Sequence, residues 1–229
     1  MLNNLEYILS PAPPNGLPAT LVHRTRRIYD RLAGFYPMST MLFHSRAHRM
    51  AMRCSGIRDG MRVLEVATGS GEMFHRLVRA NQSGSTVGID ISRNMAARTQ
   101  QRIRSAFPDA RTHCQAVDAR HMPFRDGAFD VVVCCYLFEL LSGEDIVRTI
   151  REFHRVLRSR GCLVLVVIGQ NTPVFNRIYK TAGRVAPAFW GRQVEARIPE
   201  LIEAGHFRIF RDRMVRQTGY PSRVLVARK

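Results

Sequence analysis

The chain has 229 residues, with 35 lysines and arginines against 18 acidic residues and a formal net charge of +17. That length suits one α/β domain with a full core, and no stretch reaches the roughly 18 apolar residues of a membrane span. The amino terminus, Met1-Leu2-Asn3-Asn4-Leu5-Glu6, lacks the basic start of a secretory signal, and the cysteines at 54, 114, 134, 135 and 162 form no Cys-x-x-Cys pair. Both features point to reduced thiols and a cytoplasmic protein.

Residues 1–19 hold Pro11, Pro13, Pro14, Gly16 and Pro18 and predict a flexible arm; residues 20–229 read as a single domain. Helices over Thr20 to Gly34 and Ser39 to Cys54 form a helical segment spanning 20–56. A core over 57–170 follows. An apolar strand at Val63 to Val66 runs into Gly69 and Gly71, then a helix over Glu72 to Asn81. Thr86 to Asp90 is a strand, Asn94 to Phe107 a helix stopped by Pro108, and Ala110 to Val117 a strand. Phe129 to Tyr136 is the fourth strand. Gly143 to Arg158 is a helix with Ile146, Ile150, Phe153 and Leu157 on one face, and Cys162 to Ile168 is the fifth strand. Strands alternating with helices imply right-handed crossovers, a mostly parallel sheet and helices on both of its faces. Residues 171–205 are helical and carry Phe175, Tyr179, Phe189 and Trp190. Phe207 to Gln217 and Ser222 to Ala227, within 206–229, are closing strands.

The stretch Val63-Leu64-Glu65-Val66-Ala67-Thr68-Gly69-Ser70-Gly71 is a strand-to-helix turn whose glycines allow positive φ and close approach of backbone to a ligand. A dinucleotide site wants a third Gly or Ala at position 74, where this chain has the bulky Phe74. Glu65 would repel a pyrophosphate and suits an ammonium or sulfonium group. Asp90, ending the second strand, can accept the two hydroxyls of a ribose. A nucleoside-bearing, cationic cofactor fits this set better than a dinucleotide, which also disfavours a dehydrogenase.

These segments resemble the class I S-adenosylmethionine-dependent methyltransferases, and more narrowly the ubiquinone and menaquinone biosynthesis methyltransferases and related bacterial phospholipid methyltransferases. Val63 to Gly71 is similar to the glycine-rich first motif and Gly88 to Met95 to the acidic second-strand motif. Val117 to Phe124 resembles the adenine-side motif, and Phe129 to Val133 the fourth strand. Ser159-Arg160-Gly161 stands where the family often has Pro-Gly-Gly. The resemblance implies a Rossmann-like seven-stranded sheet with a helical amino-terminal lid over 20–56 and an acceptor-side helical insertion over 171–205. It implies S-adenosylmethionine as cofactor, with Glu65, Ala67, Thr68, Gly69 and Gly71 facing its methionine moiety and Asp90 its ribose. Ile91 and Met95 would pack the adenine, Asp118 and Ala119 would bond it, and Cys135 and Tyr136 would floor the site near the methyl group. Tyr29 and Tyr36 match the lid, where a phenol closes over the methionine end or orients an acceptor.

The function so implied is methyl transfer to a small or lipid-like acceptor, either a quinone precursor or a phospholipid amine. A catalytically silent cofactor-binding scaffold is the alternative. A nucleic-acid methyltransferase is disfavoured, because Cys134-Cys135-Tyr136-Leu137 stands where Asn/Asp-Pro-Pro-Tyr would. The arginine excess reflects either codon bias or an anionic partner; basic residues interleaved with apolar ones over 23–27 and 46–53 suit peripheral contact with an anionic membrane. The remaining polar residues have plainer readings. His44 and His48 lack the glutamate of a His-Glu-x-x-His site and read as a solvated helix face, so no metal is expected. Asp130 reads as a turn residue and His154 as a surface or packing residue.

Overall fold

The computed structural model describes residues 36–169, 195–217 and 220–229. Tyr29, the arm, the helix over 20–34 and most of the 171–205 segment lie outside these residues. Seven strands form one sheet in the order β3-β2-β1-β4-β5-β7-β6. They are β1 (Arg62–Val66), β2 (Ser85–Asp90), β3 (Arg111–Ala116), β4 (Phe129–Cys135), β5 (Leu157–Ile168), β6 (Arg208–Val215) and β7 (Ser222–Arg228). The first five are parallel; β7 runs antiparallel to β5, and β6 antiparallel to β7. This is the Rossmann-like sheet with a closing hairpin that the sequence implies. Helices α1 (Tyr36–Ser55), α2 (Glu72–Ala80), α3 (Arg93–Ala106), α4 (Gly143–Val156) and the short α5 (Ile198–Ala204) complete the described part.

The strands carry near-continuous apolar runs because both faces of a parallel sheet are covered. With a side-chain period of two, Leu64, Val132 and Leu165 face one way and pack with Phe138, Ile150 and Phe153. Val63, Val131, Val164 and Val166 face the other way, under Ala47 and Ala51 of α1 and Met73 and Leu77 of α2. Alanines at two positions one turn apart let α1 lie close on the sheet. Glu65 belongs to this second face.

Helix starts follow their caps. Ser92 accepts from the Met95 N–H at 3.2 Å and begins α3; Ser142 accepts from Asp145 N–H at 3.1 Å and begins α4. Asn81 is buried and pins the β1 and β2 entries together, accepting from Met61 N–H at 2.9 Å and donating to the Met61 carbonyl at 2.8 Å. Asp130, expected in a turn before the fourth strand, lies instead within β4 and ties it to β1: it accepts from the Arg62 backbone N–H at 2.7 Å and pairs with the guanidinium of Arg62.

The clearest departure is at β5. A turn at Ser159-Arg160-Gly161 is expected before a strand beginning at Cys162, but the strand already begins at Leu157, immediately after α4. The turn survives as an irregularity within the strand. Leu157 pairs with Phe129 and Cys162 with Val131, and Arg160 between them has φ +61°. Local residue chemistry indicated the kink, whereas pairing with β4 keeps the chain extended through it. At the other end, β4 stops at Cys135 because Tyr136 adopts φ +56°.

Glu139, in a 3₁₀ turn after β4, is buried and accepts from Ile168 N–H at 2.5 Å, closing the carboxyl ends of β4 and β5. Burial pushes its carboxyl up to about 7, against the opposing effect of that backbone bond. An acid whose folded value is raised destabilises the fold progressively as pH climbs from its unfolded value towards the raised one. Urea midpoints of the wild type should therefore fall between pH 5 and pH 8. Glu139→Gln should narrow that fall, by on the order of 3 kcal/mol at most. The same pH dependence in both proteins would refute this account.

Candidate functional site

The chain leaves β1 for β2 and β3 on one side and returns to β4 on the other, so a crevice opens at the carboxyl ends of β1 and β4. Both strands end on residues in the left-handed region, Ala67 at φ +62° and Tyr136 at φ +56°. These two sharp exits turn the chain away from the sheet edge. A cleft enclosing roughly 1150 Å³, open mouth included, fills the space between.

The glycine turn is built on backbone bonds. Ala67 N–H donates to the Ile89 carbonyl at 2.8 Å, and Gly69 N–H donates to Asp90 Oδ2 at 2.8 Å. Asp90 Oδ1 takes the Ser92 N–H at 2.9 Å. One carboxylate therefore fixes the turns after β1 and β2 together. Gly71 does not line the cleft. It caps α2 at φ +74°, and a Cβ there would come within 2.9 Å of Thr99 Oγ1. Its part is to let the turn pass α3, behind the surface that Ala67, Thr68 and Gly69 present.

Glu65 lines the cleft yet is only 1 % exposed. Its Oε2 has no hydrogen-bond partner among the described residues, and neither does Thr68 Oγ1 nearby in the same wall. Burial raises the Glu65 carboxyl well above its ordinary value, and the charge of Asp90 raises it further. A buried acceptor without a donor costs free energy, and two carboxylates side by side repel. A bound cation would relieve both.

The opposite wall follows β3. Ile91, Met95, Asp118 and Ala119 line it as expected. Asp118 is committed more than its sequence context indicates: Arg120 approaches both carboxylate oxygens, with Nη2 to Oδ2 at 2.6 Å, and also reaches Asp145 of α4 at 2.9 Å. Burial pushes Asp118 up, but the Arg120 bonds and charge outweigh it and hold the carboxyl below its ordinary value. Arg120, within the adenine-side motif but not expected as a site residue, also lines the cleft; the signal for it is an acid two residues before an arginine on a loop.

Cys135 and Tyr136 form the far end. The Tyr136 hydroxyl lies 2.8 Å from Ser222 Oγ and accepts from Gln217 Nε2 at 3.2 Å, and Gln217 Oε1 in turn accepts from Ala47 N–H of α1 at 3.2 Å. Burial raises the Tyr136 phenol and the Cys135 thiol well above their ordinary values. Tyr36 opens α1, and Tyr29 lies outside the described residues. His48 corrects the sequence reading. It is 3 % exposed and lines the cleft beside Tyr136, with ring centroids 6.2 Å apart, where a solvated helix face is expected. The solvated face of α1 belongs to Arg46, Arg49 and Arg53.

Residues 63–161 match the model of a family described as a methyltransferase domain. Over that stretch the chain resembles the class I S-adenosylmethionine-dependent methyltransferases. It is 30 % identical over 143 residues to 2-phytyl-1,4-naphtoquinone methyltransferase of Nostoc sp., covering 60 % of this chain and 62 % of that protein. It is 31 % identical over 153 residues to demethylmenaquinone methyltransferase of Staphylococcus aureus, covering 66 % and 60 %. The chain thus spans about three-fifths of the length of these curated relatives. Its fold superposes with TM-score 0.72, at 15 % identity and over 95 % of this chain and 92 % of the other, on 1,6-didemethyltoxoflavin-N1-methyltransferase of Burkholderia thailandensis, solved with bound S-adenosylhomocysteine.

If Glu65 receives the cationic end of the methyl donor, the ionised carboxylate is the binding form. Affinity for S-adenosylmethionine should then rise as pH climbs from the ordinary carboxylate range through the raised one. Glu65→Gln should bind roughly 10- to 100-fold more weakly and lose that dependence. Calorimetry at several pH values checks both, and identical affinities for the two proteins would remove Glu65 from the contact.

Proposed function

We propose that this protein transfers a methyl group from S-adenosylmethionine to a small, lipid-like acceptor of the quinone-precursor class. The observation that carries the reading is the orphaned, buried Glu65 carboxyl beside Asp90, at the switch point of the sheet. The donor supplies an electrophilic methyl group on a sulfonium. Glu65, Thr68 and the Ala67–Gly69 backbone hold its methionine end. Asp90 takes the ribose hydroxyls, and Ile91, Met95, Asp118 and Ala119 the adenine. In-line transfer asks the protein mainly to align two partners and exclude water. The acceptor class is supported by the relatives, whose names specify phytyl-naphthoquinone and demethylmenaquinone substrates.

The acceptor is met at the surface of an anionic bilayer, on its cytoplasmic face. Arg46, Arg49 and Arg53 follow one exposed side of α1 at helical spacing. Arg208, Arg211 and Arg213 lie on the edge strand β6, exposed; they pair with Arg228, Val226 and Val224 of β7, whose valines face α1. None of the six arginines forms an ion pair among the described residues. Phe210, 43 % exposed, lies among them under the Arg228 guanidinium at 4.9 Å. An apolar ring within a basic face suits a lipid headgroup region. No described helix is long and apolar enough to cross a membrane.

Two measurements check this reading. Protein incubated with methyl-labelled donor and a reduced quinone extract should move label into the lipid fraction; saturable donor binding with no transfer would leave a binding scaffold. The protein should also co-sediment with phosphatidylglycerol vesicles, less at high salt and less with phosphatidylcholine. The triple variant Arg208→Glu, Arg211→Glu, Arg213→Glu should lose most of that binding. Salt-sensitive capture of an RNA oligomer with no vesicle binding would overturn the membrane assignment.

A further inference from the structure

We propose that His48 is a catalytic residue at the acceptor end of the cleft, where it takes up the proton that the acceptor gives up on methylation. The inference rests on the methyl-transfer reading above and adds a residue to it.

The sheet order gives the cleft a direction. The turn after β3 presents Asp118, β2 ends on Asp90, β1 carries Glu65 one residue before its end, and β4 follows with Cys135 and, just beyond it, Tyr136. If the sugar and base of the donor lie along β2 and β3 and its methionine end at β1, the acceptor enters over β4. His48 lies there, projected from α1 onto the cleft beside Tyr136. It is buried where Ala47 and Ala51 hold the helix close to the sheet. Among the described residues, the titratable and charged groups that share the cleft with it are Cys135 of β4, Tyr136 just after it, Glu65 of β1, Asp90 of β2, and Asp118 and Arg120 after β3. The described elements packed on α1 from the hairpin side contribute the uncharged Gln217 and Ser222 at this point.

Its neighbours are poorly suited to the task. The Tyr136 hydroxyl is engaged by Ser222 and Gln217, and burial holds the Tyr136 phenol and Cys135 thiol in their protonated forms. An imidazole is the side chain whose ordinary titration range lies near neutrality. The balance is simple. A bond forms between the acceptor atom and the methyl carbon, and the carbon–sulfur bond breaks with its electron pair returning to sulfur. The proton lost from the acceptor hydroxyl or ring carbon passes to His48 and then to solvent. Such a base contributes about 10²- to 10⁴-fold.

The test uses 1,4-naphthohydroquinone as the acceptor probe and S-adenosylhomocysteine to fill the donor end. His48→Gln should bind S-adenosylhomocysteine within threefold of wild type, which also reports that it folds. In wild type, the ring ¹⁵N resonances of His48 should shift towards a hydrogen-bond-accepting nitrogen as naphthohydroquinone is added to the loaded protein. Single-turnover methyl transfer should fall at least about 100-fold in His48→Gln and recover in His48→Ala on adding imidazole. Loss of S-adenosylhomocysteine binding in His48→Gln would make the residue part of the donor site or of the fold, and overturn the proposal. So would a resonance unmoved at saturating probe, or transfer within threefold of wild type. A wild type that methylates no hydroquinone while the resonance still moves overturns the assigned acceptor class and supports His48 as the residue at that end.

Discussion

A carboxyl group buried beside another carboxylate is the constraint around which this molecule is arranged. Glu65 sits on a central strand, almost fully covered, with one oxygen unpartnered and Asp90 raising its proton affinity further. Stability alone would favour an apolar residue there, as in the valines of the same face. Keeping the acid makes physical sense if something cationic joins it. The protein then carries the cost of desolvating the carboxyl in advance, and a cationic ligand meets a site that needs little reorganisation. Asp90 serves in two ways. It organises the glycine turn through Gly69 and Ser92, and its charge raises the proton affinity of Glu65.

Much of this end was legible in the sequence because it depends on local rules. A strand followed by a two-glycine turn and a second strand ending in Asp states a backbone path with few solutions. Positive φ at Gly69 and Gly71 follows from residue type. The parallel order of β1 to β5 follows from the alternation of strand and helix. Where the reading failed, tertiary contacts decide. The β5 kink looks like a turn until β4 pairs across it. Gly71 looks like a ligand-facing glycine, but α3 packs behind it. Asp118 lines the cleft, but its pairing with Arg120 could not be read locally.

His48 shows why a helix face is hard to assign from its own residues. Three arginines at positions 46, 49 and 53 define the solvated stripe of α1, which leaves 47, 48 and 51 on the packed side. Reading the stripe first would have placed the imidazole inward. Taken with His44 alone, and lacking the glutamate of a metal-binding pair, His48 looks like part of a solvated face. The informative neighbours were the alanines, because small residues mark where a helix backbone approaches a sheet, and a polar residue beside them is held at that surface.

The two ends of the cleft are made differently. The donor end is mostly backbone: turns after adjacent parallel strands, fixed by main-chain bonds and one carboxylate, all within the 63–161 stretch shared with the methyltransferase family. At the other end Cys135 and Tyr136 of that stretch meet His48, the one described lining residue from outside it, and are braced from behind by the closing hairpin. Gln217, after β6, accepts from Ala47 N–H of α1 and donates to Tyr136 Oη and Ser222 Oγ, joining the amino-terminal helix, β4 and the closing hairpin in one network. His48 follows Ala47 directly, so the same bond that seats α1 on the hairpin also sets the depth of the imidazole. A protein built this way can change its acceptor by altering α1 and the hairpin while the donor turns stay intact. The turns after β1 and β2 are fixed by local bonds, whereas the wall at Tyr136 depends on how elements distant in sequence meet there.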